Sequence, residues 1–229
     1  MRTTEQLEAI FELLKKDYRE LDEHIDREVA SASAIRDKEL AEATSKDVAA
    51  RGEQAKGSLL NDAGDHIRSL FNASRKAAQR AVTEPMPLEA MSYLQALELT
   101  GIPTQGQIDA GAERYGSSAA FMSTLTGLVE RANSRGRERS GDRYNAVRIG
   151  NPFSIDAHIA ACDEAEQSAL ASLHRYDPDK YTSLGTRLGR ALSEDHPLNI
   201  VESGEQLIDP MQSGVTSQSM SNTTATQGE

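Results

Sequence analysis

The chain has 229 residues and a formal net charge of −11 at pH 7. Only 4% of its residues are aromatic and Trp is absent, so the side chains that bury the most area in a large compact core are scarce. The acidic balance argues against wholesale nucleic-acid binding, and the single Cys excludes an internal disulfide framework. With no signal peptide and no apolar run near 18 residues, we expect a cytoplasmic protein without a membrane segment.

The N-terminal stretch LEAIFELLKKDYRELDEHI has the pattern of an amphipathic helix. Thr3 and Gln6 have capping-box spacing at its start. Apolar positions then return every 11 residues and define what we call the N-terminal face: Leu7, Ile10, Leu14, Tyr18, Leu21, Ile25 and Val29. Such a repeat predicts a nearly straight coiled-coil rod, which we place at residues 1–56. A single rod cannot bury this face, so we predict homo-oligomerisation through it; packing on the chain's own later helices is the alternative.

A second helix is predicted over residues 57–84. Gly52, Gly57 and Gly64 indicate a hinge between it and the rod, because each glycine costs helix stability. The rod is acidic and the second helix is mildly basic. This difference favours antiparallel pairing, either between the two helices of one chain or between two copies.

Residues 85–132 are predicted to form a module of three helices. The two prolines of EPMP stop the preceding helix, and Leu88, Met91, Leu94 and Leu97 are assigned to one apolar face. Thr104 has Gln107 at capping-box spacing, while Ser117 or Ser118 caps the third helix. The module carries too little positive charge for a helix-turn-helix that reads DNA.

Residues 133–153 are interpreted as a linker rich in Arg and Gly. Its five arginines are Arg135, Arg137, Arg139, Arg143 and Arg148. We expect a solvated loop that docks on acidic parts of a neighbour; contact with nucleic acid or another polyanion is the alternative.

The last two segments are a helical pair and a tail. The pair is predicted over residues 154–196, and Ser154 caps its first helix. Residues 197–229 are predicted to be mostly disordered, because the end of the chain is rich in Ser, Thr, Gln and Gly and lacks apolar periodicity.

Chemical motifs are scarce. His158, Cys162 and Glu166 follow one another at four-residue spacing, so they share a helix face on which two ligands could hold a metal ion. Cys162 lies in the apolar stripe, however, where a Cys usually behaves as a small hydrophobe. No HExxH, CxxC, GxSxG or Walker-type motif occurs. We therefore expect no enzymatic activity, no metal and no cofactor.

The order of segments resembles that of bacteriophage or prophage head-morphogenesis proteins of the scaffolding type. The middle stretch YLQALELTGIPTQGQIDAGAERYGSSAAFMSTL is also similar to helical structural proteins of phages. The resemblance implies an assembly factor that multimerises through its rod and contacts a capsid or other virion protein through a terminal helical element. Scaffolding proteins often use a basic C-terminal helix for that contact, whereas the C-terminal region here is acidic.

These observations predict an all-α protein with a long N-terminal coiled-coil helix, a small helical bundle and a disordered tail. The expected function is a non-enzymatic, oligomeric role in phage virion assembly or structure, in the host cytoplasm or in the virion. A cytoplasmic coiled-coil adaptor and a helical nucleic-acid accessory protein are the alternatives.

Overall fold

The computed structural model describes residues 2–141, 144–174, 176–178 and 196–208. Those ranges hold seven helices and no strand, which confirms the all-α prediction, and none of the seven is long and apolar enough to cross a membrane. The helices are α1 (Thr3–Ser33), α2 (Lys38–Thr83), α3 (Leu88–Thr100), α4 (Gln105–Tyr115), α5 (Ala119–Ser140), α6 (Ile155–Leu173) and α7 (Pro197–Ile208).

The long N-terminal helix is present as two pieces, α1 and α2, which form an antiparallel hairpin. The boundary that we placed after residue 56 is therefore wrong: the chain turns at residues 34–37. Asp37 starts α2, because its carboxylate accepts hydrogen bonds from the backbone N–H groups of Glu39 and Leu40. A side chain that satisfies these otherwise unpaired donors stabilises a new helix start.

The three glycines predicted to form a hinge lie inside the uninterrupted helix α2. Gly52 is buried against Ile25, and a Cβ at position 52 would collide with the Ile25 side chain. Because Gly52 has no side chain, α1 and α2 can approach closely where Ile25 packs on it. Packing along α1 and α6 supplies the stability that glycine removes from an isolated helix.

The first hydrophobic core lies between α1, α2, α6 and α7. Phe11 of α1 and Phe71 of α2 are its largest members, and both are fully buried. The other buried residues of this core are Leu7, Leu14, Ala63, Ile67, Ala161, Cys162, Ala165, Ala169, Leu173, Leu198 and Val201. Helix α1 therefore buries its apolar face within its own chain.

The second hydrophobic core lies between α3, α4 and α5, at the far end of α2. Phe121 and Leu125 of α5 are fully buried at its centre, with Ile108 of α4 beside them. Ala81 and Val82 of α2 pack against the same core. Because α2 contributes to both cores, it joins the hairpin to the three-helix module.

Local capping explains where the module's helices begin. Thr104 and Gln107 form the predicted capping box at the start of α4. Ser118 accepts a hydrogen bond from the Phe121 N–H at the start of α5, and Ser154 accepts one from the Ala157 N–H at the start of α6. The caps predicted for these three helices are confirmed. At α1, by contrast, the Arg2 N–H donates to Glu5, and Thr3 lies inside the helix.

Two assignments in the C-terminal half need correction. The linker predicted over 133–153 is largely structured, because α5 continues to Ser140. Beyond α5, the Asn133 side chain hydrogen-bonds both the N–H and the C=O of Val147. Residues 197–208 are not a disordered tail, because α7 is amphipathic and buries Leu198 and Val201 in the first core. The second helix of the predicted pair and residues 209–229 lie outside the described residues.

Replacing Phe11 with Ala should lower the free energy of unfolding by about 3–5 kcal/mol, because the substitution leaves a cavity between α1, α2 and α6. The matched control is Leu13→Ala on the same helix, where the side chain is 54% exposed, and we expect a change within about 0.5 kcal/mol. Urea unfolding followed by circular dichroism measures both. Equal losses for the two variants would contradict this packing.

Candidate functional site

The N-terminal face lies against α2, which is the alternative that the sequence left open. Leu7 and Leu14 are buried in the first core, and Ile10 packs against that core. The remaining members are half-buried along the hairpin: Tyr18, Leu21, Ile25 and Val29. In this arrangement the chain's own helices cover the positions that were predicted to form a homo-oligomeric seam.

Polar contacts hold the hairpin at the level of Tyr18. The Lys56 ammonium lies 2.7 Å from the Asp22 carboxylate and 5.2 Å from the centre of the Tyr18 ring. The hydrogen bond to Asp22 raises the pKa of Lys56. Tyr18 also packs edge-on against Tyr176, with ring centres 5.6 Å apart. The half-buried part of the N-terminal face thus has partners within the chain.

Helix α3 presents apolar side chains on two opposite sides. Ala90, Leu94 and Leu97 are buried in the second core, whereas Leu88 and Leu99 are 75% and 89% exposed. A helix that is apolar on both sides normally has partners on both sides. The predicted single face of Leu88, Met91, Leu94 and Leu97 is therefore split: Leu94 and Leu97 point inward, while Leu88 and Met91 point outward.

We call the exposed side of this helix the α3 outer face. At 3.6 residues per turn its members lie on one side of the helix: Leu88, Met91, Ser92, Gln95, Ala96 and Leu99. None of the six is charged. At its two edges, Glu89 pairs with Arg114 at 3.0 Å and Glu98 approaches Arg131 at 4.0 Å. The face is thus locally neutral in a strongly acidic chain.

A shallow depression adjoins the α3 outer face. It has a volume of about 470 Å³ and lies between α3 and α4. Its lining combines Leu88 and Ser92 of the outer face with the rings of Tyr93 and Tyr115 and the Glu89–Arg114 ion pair. An apolar ridge beside a depression that holds two aromatic rings and an arginine has residue types that are enriched in protein–protein interfaces.

The arginines predicted to contact polyanions are only partly brought together. Arg135 and Arg139 share one exposed side of α5, and Arg137 points elsewhere, since it is two residues from each of them. The backbone N–H and C=O of Arg148 both hydrogen-bond the side chain of Gln105, at the start of α4. Arg143 lies outside the described residues.

A polar cluster joins four helices around the half-buried Glu205 of α7. The Glu205 carboxylate accepts hydrogen bonds from the N–H and hydroxyl of Thr3 in α1 and from the Ser74 hydroxyl in α2, the last at 3.0 Å. The Ser74 oxygen in turn lies 3.3 Å from His158 Nε2 and 3.8 Å from Cys162 Sγ, both on α6. The cluster therefore connects α7 to the other three helices of the first core.

Serine, histidine and glutamate together suggest a catalytic triad, but the hydrogen bonds between them do not connect them in the sequence that a triad needs. In a triad the carboxylate holds the imidazole nitrogen that faces away from the serine, whereas Glu205 binds the Ser74 hydroxyl itself. Because Ser74 gives its single proton to Glu205, its oxygen accepts from His158 Nε2–H. His158 then cannot act as a base toward Ser74. We conclude that this cluster is a structural junction.

Burial decides the protonation states in this cluster. Burial lowers the pKa of His158, against the opposing influence of Glu205, so the imidazole is neutral at pH 7. Burial also raises the pKa of the Cys162 thiol to about 11. A thiol held neutral in this way is neither a good nucleophile nor a good metal ligand.

The candidate metal residues are also separated. Glu166 binds Arg75 at 2.6 Å, together with Asp163 at 2.8 Å, and this ion pair ties α2 to α6. Glu166 is thus committed to the arginine, while His158 and Cys162 face Ser74. Across the described ranges, no group of three His, Cys, Asp or Glu side chains is placed to hold a metal ion.

Replacing Glu205 with Gln should lower the free energy of unfolding by about 1.5–3 kcal/mol, because the hydrogen bonds from Thr3 and Ser74 lose their charged acceptor. Glu202→Gln, on the same helix, removes the same charge away from the cluster and should change stability by less than about 0.5 kcal/mol. Thermal unfolding of the two variants measures the difference. Equal stability would show that Glu205 does not hold α7.

Cys162 should resist thiol reagents in the folded chain. Its side chain is fully buried, and a pKa of about 11 keeps it protonated near pH 8. Labelling with Ellman's reagent at pH 8 should therefore be at least about 100-fold slower in buffer than in urea, where the thiol regains its ordinary pKa. Rapid labelling of the native chain would mean that the junction between α2 and α6 is open.

No known protein family, curated protein or solved structure matches this chain. Among the surfaces described above, the α3 outer face is the one with the composition of a binding site for another protein.

Proposed function

We propose that this protein is a non-enzymatic helical protein of phage virion assembly or structure, which acts by binding other protein chains. The α3 outer face carries the proposal. Of the six large apolar side chains that are exposed within the described residues, three lie on this one short helix: Leu88, Met91 and Leu99. Exposed apolar residues are usually scattered on a monomer, so a cluster on one face indicates an interaction surface.

The architecture supports a scaffold more than a catalyst. Helix α2 is 46 residues long, or about 70 Å at 1.5 Å per residue, and it carries α3 and the rest of the three-helix module at one end. In the cluster around Glu205, the hydroxyl, the thiol and the carboxylate contact one another and His158 Nε2, and of the imidazole only Nδ1 lacks a partner among the described residues. The phage assignment rests on the resemblance of the segment order and of the stretch from Tyr93 to Leu125.

The experiment is a deletion of the gene in the strain that carries it. Particles are then counted by electron microscopy and by infectious titre. We expect few or aberrant particles, because an interaction needed for assembly is lost, and we expect genes for a portal or capsid protein nearby.

Two complementing variants make the experiment specific for the α3 outer face. Leu88→Glu, which places a charge on that face, should fail to restore assembly. Leu40→Glu, at a side chain that is 54% exposed on α2, should restore it. Normal particles without the gene would overturn the phage assignment, and a cellular defect in their place would favour the cytoplasmic adaptor.

A further inference from the structure

We infer that the α3 outer face pairs with the same face of a second copy, the two α3 helices lying antiparallel about a two-fold axis. The inference deepens the proposed function by naming the partner of that face. An isologous contact requires one patch to be complementary to itself. Three features of the α3 outer face meet this requirement: its symmetric pattern, its hydrogen-bonding groups and its charge.

The pattern of residues is symmetric about the middle of the helix. An axis between Tyr93 and Leu94 places Leu88 of one copy at the level of Leu99 of the other, and the reverse at the opposite end. The two leucines are 11 residues apart, which is about 16 Å and three turns. Each end of the pair thus packs Leu88 against Leu99, which are the two most exposed leucines within the described residues.

The polar residues at the centre are also complementary. The same axis places Ser92 at the level of Gln95 of the second copy. The Ser92 hydroxyl donates to the Leu88 carbonyl at 2.9 Å within its own helix, so its oxygen is left to accept a further hydrogen bond. The Gln95 amide supplies two donors, and the pair can therefore be satisfied across the axis.

The charge distribution favours a copy of the same face over a charged partner. Two chains of net charge −11 repel each other over most of their surfaces. On the α3 outer face the six side chains are uncharged, and Arg114 and Arg131 neutralise the acidic edges. A basic partner would find its acidic counterparts already paired. Two neutral faces can approach each other without breaking these ion pairs.

The depression beside Leu88 gives the contact its depth. Antiparallel pairing brings Leu99 of the second copy to the mouth of this depression, beside Leu88, the two tyrosines and the Glu89–Arg114 ion pair. Antiparallel helices also oppose their macrodipoles favourably. The contact is small, at the low end of specific interfaces, so the dimer is weak and concentration-dependent.

Sedimentation velocity on the full chain, between about 10 µM and 1 mM, tests the pairing over the range of weak complexes. The wild-type chain should dimerise. Leu88→Glu and Leu99→Lys should each weaken dimerisation by about tenfold or more, because each buries an unpaired charge. Leu40→Glu should leave it unchanged. We expect every variant to fold, because Leu40, Leu88 and Leu99 are all exposed. Circular dichroism of each variant checks this.

The double variant Leu88→Glu/Leu99→Lys tests the direction of the helices. In the antiparallel pair it sets opposite charges against each other at both ends, so it should dimerise more tightly than either single variant. If the double variant dimerises no more tightly than the single variants, the antiparallel register is wrong. A wild-type monomer at about 1 mM, or a dimer insensitive to both single changes, would overturn self-pairing. If the wild type is monomeric and Leu88→Glu still abolishes particle assembly, self-pairing falls and the proposed function stands.

Discussion

The packing of α1 on α2 is the constraint on which the rest of this structure depends. An amphipathic helix of 31 residues has little stability in water unless its apolar side is covered. The turn at residues 34–37 brings α2 back along it, and Phe11 and Phe71 then meet in the first core. Helices α6 and α7 complete that core, so the chain covers by itself the face that most resembles an oligomerisation seam.

The polar cluster around Glu205 follows from this arrangement. Closing the core brings the start of α1, the last third of α2 and the start of α6 to one place, where backbone and hydroxyl donors would be buried unsatisfied. A carboxylate from α7 accepts several of them at once, which offsets the cost of burying it. Gly204 lets α7 lie close enough to do so, because a side chain there would collide with the His158 ring. The cluster therefore fixes the last described helix to the first.

Features that depend on neighbouring residues could be predicted from the sequence, and features that depend on distant ones could not. The all-α class and the caps at Thr104, Ser118 and Ser154 arise within a few residues and were predicted. The fold of α1 onto α2 was foreseen only as an alternative, because periodicity identifies an apolar face but not the surface that covers it. The α3 outer face was missed because Leu88, Met91, Leu94 and Leu97 were assigned to one face by their three-residue spacing. Each such step falls about 60° short of a full turn, so Leu88 and Leu97 lie on opposite sides of the helix.

A protein with a net charge of −11 needs a neutral surface wherever it is to meet another acidic chain. Electrostatic repulsion acts over roughly a Debye length of 8–10 Å at physiological salt, so exposed acids beside a contact oppose it. The α3 outer face removes this obstacle locally, by excluding charge from its centre and pairing the acids at its edges. It also lies on the module at the end of the long helix α2, away from the first core. Contacts made there would leave the folded hairpin undisturbed, as the role in assembly that we propose requires.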